Sequence, residues 1–223
     1  MPPWVARRWW DLGHMVCFWT FGTLFSLRTQ GGQNVPARGP VLLVSNHQAF
    51  FDPVLVGLAS PRRVSFLARE TLFRNKKLAW LMRSLGALPI DHRGFSREGL
   101  QSTLDALHQG KVVCVFAEGE RTHTGAVEPF KPGISLLIKR VKAPIVPIGI
   151  AGAYAAWPRT RKFPRLAPRF APPSAATIAV SVGRPIPPEK YAGMPRDEML
   201  ADLQRAVEAE VVKADQLRRQ RRG

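Results

Sequence analysis

Short apolar runs recurring between helix-length stretches constrain this chain more than any other feature. Residues 41–44, 64–68, 87–90, 112–116 and 145–150 read as strands, and residues 53–59, 71–84, 96–108 and 133–141 read as the helices among them. Several of the runs lack a polar residue at alternate positions, as expected for strands of a sheet covered on both faces. Ile178, Ala179, Val180, Ser181 and Val182 add a late strand. The expected fold is α/β: a mixed, mostly parallel sheet flanked by helices, occupying residues 35–194, with ligands held at the carboxyl ends of the strands. The chain has 223 residues, 45% of them apolar, enough for one core of this kind, and no internal repeat is visible.

The loop after the first run carries candidate chemistry. Asn46-His47-Gln48-Ala49-Phe50-Phe51-Asp52-Pro53 sets an imidazole and a carboxylate five positions apart. A continuous helix would turn those two side chains about 140° away from each other, so they meet only across an irregular segment. Pro53 supports this, because it disfavours helical geometry at Asp52, and Asp52-Pro53 reads as the N-cap and first residue of a helix through Leu58. A cap alone would account for Asp52. If the two side chains do meet, an imidazole with a carboxylate on one nitrogen can take a proton from a hydroxyl with the other. His47 and Asp52 are therefore the candidate catalytic pair, with backbone amides of residues 45–53 as candidate oxyanion donors. Cys114 and Ser45 are the alternative nucleophiles, and neither sits in a nucleophile-elbow pattern.

Three further segments follow in order: Leu85-Gly86-Ala87-Leu88-Pro89-Ile90-Asp91-His92-Arg93; Phe116-Ala117-Glu118-Gly119-Glu120-Arg121-Thr122, then Phe130-Lys131-Pro132-Gly133; and Ile145-Val146-Pro147-Ile148-Gly149. Together with the His47 loop they resemble the four ordered signatures of the glycerolipid acyltransferase family. The resemblance implies Arg93, Glu118, Gly119 and Arg121 as a phosphate-binding set, with Asn46, Arg69 and Lys131 in support. It also implies transfer of a fatty acyl group from an acyl-CoA or acyl carrier protein thioester to the free hydroxyl of a lysophospholipid, without cofactor or metal. 1-Acylglycerol-3-phosphate is the default acceptor, with glycerol 3-phosphate and other lyso-lipids open. The family pattern usually has a small hydroxyl residue at Ala49, Pro at Ala117, Thr at Glu120, Ser at Thr122 and Lys at Arg69. These departures bear on the acceptor, Glu120 most of all, because it adds a second carboxylate to an anion-binding loop.

Lys and Arg number 33 against 16 Asp and Glu, a formal charge of +17. Such an excess attracts phosphates, anionic lipid surfaces, nucleic acid or an acidic carrier protein. No nucleic-acid motif is present and no nucleic-acid partner is expected; a non-catalytic basic lipid- or nucleic-acid-binding protein is the rival class, and it leaves the His47–Asp52 spacing without a purpose. Cys17 and Cys114 make no disulfide framework, which fits a reducing compartment.

Residues 1–34 are the expected membrane-anchoring segment. Trp4, Trp9, Trp10, Phe18 and Trp19 crowd it, with Arg7 and Arg8 near its start and Arg28 near its end. Its apolar stretch from Met15 to Leu27 is shorter than the ~20 residues a span needs, so an amphipathic interfacial or re-entrant helix is expected, peripheral or monotopic on the cytoplasmic face of an anionic membrane. A signal peptide is the alternative, opposed by Asp11 and His14 and by the lack of a cleavage site before Gln30. In residues 75–85 a narrow stripe of Leu78, Leu81, Met82 and Leu85 suits core packing, while Trp80 offers a second membrane contact. Residues 156–173 place five prolines among Arg159, Arg161, Lys162, Arg165 and Arg169, an irregular basic loop that is either a solvated connection or a contact for lipid headgroups or an acidic acyl donor. Residues 195–223 begin as a long helix striped by Leu200, Leu203, Val207 and Val211 and end in Arg218, Arg219, Arg221 and Arg222.

Overall fold

The computed structural model describes residues 3–76, 79–80, 86–90 and 97–220. Seven strands form one sheet: β1 (Arg28–Gln30), β2 (Val41–Ser45), β3 (Val64–Arg69), β4 (Ala87–Ile90), β5 (Val112–Phe116), β6 (Ile145–Ala151) and β7 (Ala179–Val182). Their order is β1-β7-β6-β2-β5-β3-β4, and every neighbouring pair is parallel except β6 with β7. The helices are α1 (Pro3–Leu24), α2 (Asp52–Ala59), α3 (Arg97–His108), α4 (Gly133–Arg140), the single turn α5 (Ala153–Ala156) and α6 (Arg196–Arg219). Of the helix expected over residues 71–84, the described part is a 3-10 turn, Glu70–Phe73, and helical residues at 76 and 79–80; Leu78, Leu81, Met82 and Leu85 lie outside the described residues.

The apolar strands are unbroken because each face has its own cover. Val41 and Leu43 of β2 pack with Phe25, Phe51, Leu55 and Val56 on one side, while Leu42 and Val44 pack with Leu104, Ile134, Leu137 and Leu203 on the other. The α/β fold with a mixed, mostly parallel sheet is thus the one expected, with one strand added. Arg28, Thr29 and Gln30 form β1, parallel to β7 at the sheet edge, so the boundary placed at residue 34 lies inside the sheet domain. Arg28, expected near the end of the membrane-anchoring segment, serves the fold instead. Its guanidinium donates to the carbonyls of Leu217, at 2.8 Å, and Gln220, at 2.5 Å, where α6 runs out of backbone partners.

Helix α6 lies against β6 and β7, burying Met199, Leu203, Val207, Glu210 and Ala214. The expected stripe is therefore rotated slightly, leaving Leu200 and Val211 half-buried at its margin. Gly149 explains how closely the helix sits: a Cβ there would lie 2.1 Å from the Glu210 carbonyl carbon and the Val211 nitrogen. The terminal basic residues are partly spoken for, since Arg218 and Arg219 both pair with Asp215, while Arg221 and Arg222 lie outside the described residues.

Helix α1 is 22 residues long, about 33 Å, yet among the described residues no helix is both long and apolar enough to cross a membrane. It ends at Leu24, and Phe21 in its last turn and Phe25 just beyond it pack inward, with ring centroids 5.3 Å and 5.6 Å from that of Phe51. Further back Trp9, Met15, Phe18 and Trp19 are exposed. Trp10 is half-buried instead, with its ring 4.8 Å from His14 and 4.9 Å from the Arg63 guanidinium. Trp80 is exposed beside Trp9, at 5.2 Å, and the Trp4 side chain lies outside the described set.

Candidate active site

Two loops meet because two strands pair. β2 and β5 are neighbours in a register that sets Ser45 opposite Phe116, so the segments leaving their carboxyl ends start side by side. The His47 N–H donates to Glu118 Oε1 at 2.8 Å, and the His47 carbonyl accepts from the Thr122 N–H at 2.8 Å. On the other flank Asn46 is buried and continues the strand pairing with its side chain. Its Oδ1 accepts from the Ile150 N–H at 2.8 Å, and its Nδ2 donates to the Ile150 carbonyl at 3.0 Å. Gln48 spans from the Gly125 carbonyl, 2.9 Å, to the Tyr154 N–H, 3.3 Å. Together these bonds brace the irregular segment that the spacing of His47 and Asp52 requires.

His47 Nδ1 lies 2.8 Å from Asp52 Oδ2. Asp52 is fully buried, and the same oxygen accepts the N–H groups of Gln48 and Ala49; Oδ1 has no hydrogen-bond partner among the described residues. The expectation that Asp52 is an N-cap is corrected here, because Phe51 holds that position and the carboxylate reaches back into the loop. As the first residue of α2, Asp52 still gains from the positive end of the helix dipole. The imidazole stacks on Phe116, with centroids 4.1 Å apart, and remains 19% exposed. A buried carboxylate at Nδ1 fixes the proton there and leaves the lone pair on Nε2, which bonds to no described residue. The amides of His47, Gln48 and Ala49 already donate to Glu118 and Asp52, so these three are not the oxyanion donors expected from this loop.

The expected phosphate set separates into distinct parts. Glu118 is 2% exposed, with Oε1 on the His47 N–H and Oε2 on the Glu128 N–H at 3.3 Å. Burial pushes its carboxyl up to about 7, against the two amide donors that favour its charged form. Glu118 therefore fastens the His47 loop through backbone amides, a structural part beside the one the resemblance implies for it. Gly119 has φ +77, in the left-handed region, and a Cβ there would meet the Lys131 side chain at 3.1 Å. The Lys131 N–H in turn donates to the Ala117 carbonyl at 2.9 Å, which closes this loop, and its side chain is exposed. Arg121 is half-buried on the same loop. Arg93 lies outside the described residues; so does the side chain of Arg69, whose backbone ends β3.

The departures from the expected pattern also find partners. Glu120 pairs with Arg159 at 3.2 Å, so its carboxylate does not face a bound anion uncompensated. Arg159 donates as well to the Arg121 carbonyl at 3.1 Å. Ala49 is fully buried in the core. Thr122 keeps a hydroxyl, which donates to Glu128 at 3.2 Å and accepts the N–H groups of Thr124 and Gly125. Gln48, Glu128, Tyr154 and Arg159 were not singled out as site residues by sequence reasoning. Gln48 lies inside the recognised loop and Arg159 inside the basic segment, but their contacts cross the chain and carry no local spacing signal.

A mostly parallel sheet with a His–Asp pair at its strands' carboxyl ends defines an α/β protein of a kind suited to proton transfer. Residues 26–151 match the model of the family described as Acyltransferase. The chain is 23% identical over 176 residues to the 1-acyl-sn-glycerol-3-phosphate acyltransferase of Bacillus subtilis (strain 168), covering 78% of this chain and 81% of that protein. It is 31% identical over 113 residues to the enzyme of the same name from Streptococcus pneumoniae, covering 50% of this chain and 41% of that one. The crystal structure of the 1-acyl-sn-glycerophosphate (LPA) acyltransferase PlsC from Thermotoga maritima shares the fold, with a TM-score of 0.72 at 20% identity over 98% of this chain and 82% of the other. The chain belongs to the acyltransferase family, and it is an O-acyltransferase.

Proposed function

We propose that the protein transfers a fatty acyl group from an acyl-CoA or acyl carrier protein thioester to the free hydroxyl of 1-acylglycerol-3-phosphate, giving phosphatidic acid. A single distance supports this most: His47 Nδ1 is 2.8 Å from the buried Asp52 carboxylate, and Nε2 is left without a partner among the described residues. Nε2 removes the hydroxyl proton as that oxygen attacks the thioester carbonyl. The C–S bond then breaks, and the departing thiolate takes the proton from the imidazolium, so no acyl-enzyme forms. Asp52 holds the tautomer and stabilises the imidazolium.

Arg121, with Arg93 carried by the family resemblance, binds the acceptor's phosphate through guanidinium forks, and Lys131 adds charge beside the same loop. The names of the Bacillus and Streptococcus relatives support this acceptor. Neither Ala49, buried in the core, nor Glu120, paired with Arg159, counts against it. The protein works at the cytoplasmic face of an anionic membrane, with the exposed aromatic residues of α1 at the interface and the charge of +17 as attraction.

The test is an assay pairing lysophosphatidic acid, glycerol 3-phosphate and other lysophospholipids with each thioester. His47→Ala lowers kcat by about 10²–10⁴, and Asp52→Asn, which acts through the same imidazole, by no more than that, with vesicle binding unchanged in both. Near-normal turnover by His47→Ala refutes the base assignment, and a stronger preference for another lyso-lipid replaces the acceptor.

A further inference from the structure

The segment between α5 and β7 is irregular in backbone but fixed in place. Ala167 is buried, its N–H donates to the Leu24 carbonyl at 2.8 Å, and its carbonyl accepts the Ser26 hydroxyl at 2.9 Å. Two more bonds hold it, from the Arg169 N–H to the Thr23 carbonyl at 2.9 Å and from the Arg165 N–H to the Ala156 carbonyl at 2.7 Å. Both of the contacts at Leu24 and Thr23 are to the last turn of α1.

The side chains around these anchors point away from the protein. Phe170 is 96% exposed, Phe163 70% and Leu166 48%. An exposed phenylalanine on a hydrogen-bonded frame gains nothing from folding. Arg161, Lys162, Arg165 and Arg169 flank these apolar groups, all exposed and none paired with a carboxylate among the described residues, with the Lys162 ammonium 5.6 Å from the Phe163 ring centroid. Some exposed cations elsewhere pair with acids, as Lys190 does at Asp202 and Lys213 at Glu210, and others such as Lys139, Arg140 and Lys142 do not among the described residues, so what sets this segment apart is the combination of cations with exposed apolar side chains.

We propose that residues 161–170 form a second membrane-docking element, specific for anionic lipid, which inserts Phe163 and Phe170 between headgroups while its arginines hold the lipid phosphates. A bilayer suits this mixture of cations and apolar tips, because it offers negative headgroups and a hydrocarbon edge within one side-chain length. The element is also continuous with other apolar surface. Through its bonds to Thr23 and Leu24 it adjoins the α1 turns that expose Phe18 and Trp19. Through Trp157, whose ring is 6.4 Å from that of Phe50, it adjoins the loop carrying His47 and Asp52. Phe50 itself is 58% exposed. The docked element thus sets the mouth of the site against the bilayer, where a lyso-lipid enters from the membrane plane. The entry route rests on the acyl-transfer reading; the docking does not.

The experiment is co-sedimentation of the full chain with phosphatidylglycerol–phosphatidylcholine vesicles and with phosphatidylcholine vesicles alone. Phe163→Ser with Phe170→Ser lowers partitioning onto the anionic vesicles about tenfold. Arg161→Gln, Arg165→Gln and Arg169→Gln together lower it roughly fivefold per charge removed and narrow the preference for anionic vesicles accordingly. His47→Ala binds as the unaltered chain does, so this readout stands even if the chain transfers no acyl group to any acceptor offered. The phenylalanine variant also keeps its turnover on acceptor in detergent micelles and loses it on acceptor in vesicles. Binding of both loop variants at the level of the unaltered chain overturns the proposal. So does a loss confined to capture of an acidic carrier protein or duplex DNA, with vesicle binding unmoved.

Discussion

Glu118 ties the two halves of the site through backbone amides, and its burial makes that tie depend on pH. In the unfolded chain its carboxyl has an ordinary value of 4.5, whereas in the folded protein it is pushed up to about 7 by burial. A raised acid pKa means the folded state holds the proton more tightly. The stabilising contribution is therefore complete below about 4.5 and is lost as pH rises through about 7. Glu118→Gln removes this dependence while keeping an oxygen for the His47 N–H. Urea unfolding of both proteins at pH 5 and pH 8 should show the unaltered chain losing up to about 3 kcal/mol relative to the variant. Parallel behaviour at the two pH values would mean that the carboxylate is satisfied in its charged form. At this scale the sequence conveys which residue types matter better than what each one touches. His47 and Asp52 are visible through their spacing, but the commitment of Glu118 to the amides of His47 and Glu128 is set by the pairing of β2 with β5, which no local pattern encodes.

Among the elements, closeness of approach decides stability where α6 crosses β6. A methyl group on residue 149 would stand 2.1 Å from the backbone of Glu210 and Val211, and neither a strand nor a helix backbone can yield as a flexible side chain does. Gly149→Ala should cost about 3 kcal/mol and lower Tm by roughly 10 °C in thermal unfolding. A change within a degree or two would show that α6 shifts along the sheet without cost. The same region marks what was legible. β2, β5 and β6 are clear in the sequence because burial on both faces demands apolar residues throughout. β1 is silent, since Arg28, Thr29 and Gln30 serve the edge with their backbone groups and leave their side chains polar. The rotation of the α6 stripe toward Met199, Glu210 and Ala214 was hidden for a related reason: Glu210 is a buried carboxylate, satisfied by the Ser181 hydroxyl and Lys213, and a charged residue does not read as core.

For the whole molecule, the question is how a chain with a charge of +17 engages a membrane that none of its described helices is long and apolar enough to cross. Attraction by net charge acts over a Debye length and is weakened by salt, about 10 Å at 0.1 M and about 3 Å at 1 M. Burial of aromatic rings at the interface is not weakened in that way. In α1, Phe18 is 52% and Trp19 60% exposed, whereas Phe21 and Phe25 pack on Phe51 and Arg28 holds the end of α6. Deleting residues 1–28 would therefore damage the core and the sheet edge together, and loss of binding by such a truncation would not distinguish anchoring from unfolding. Phe18→Ser with Trp19→Ser leaves those contacts in place. This variant should unfold at the same temperature as the unaltered chain and bind anionic vesicles at low salt through its charge. In 1 M salt its binding should fall well below that of the unaltered chain, leaving the part that Phe163 and Phe170 supply. Equal binding of the two proteins at high salt would remove Phe18 and Trp19 from the membrane contact and leave net charge and the other apolar groups to account for it.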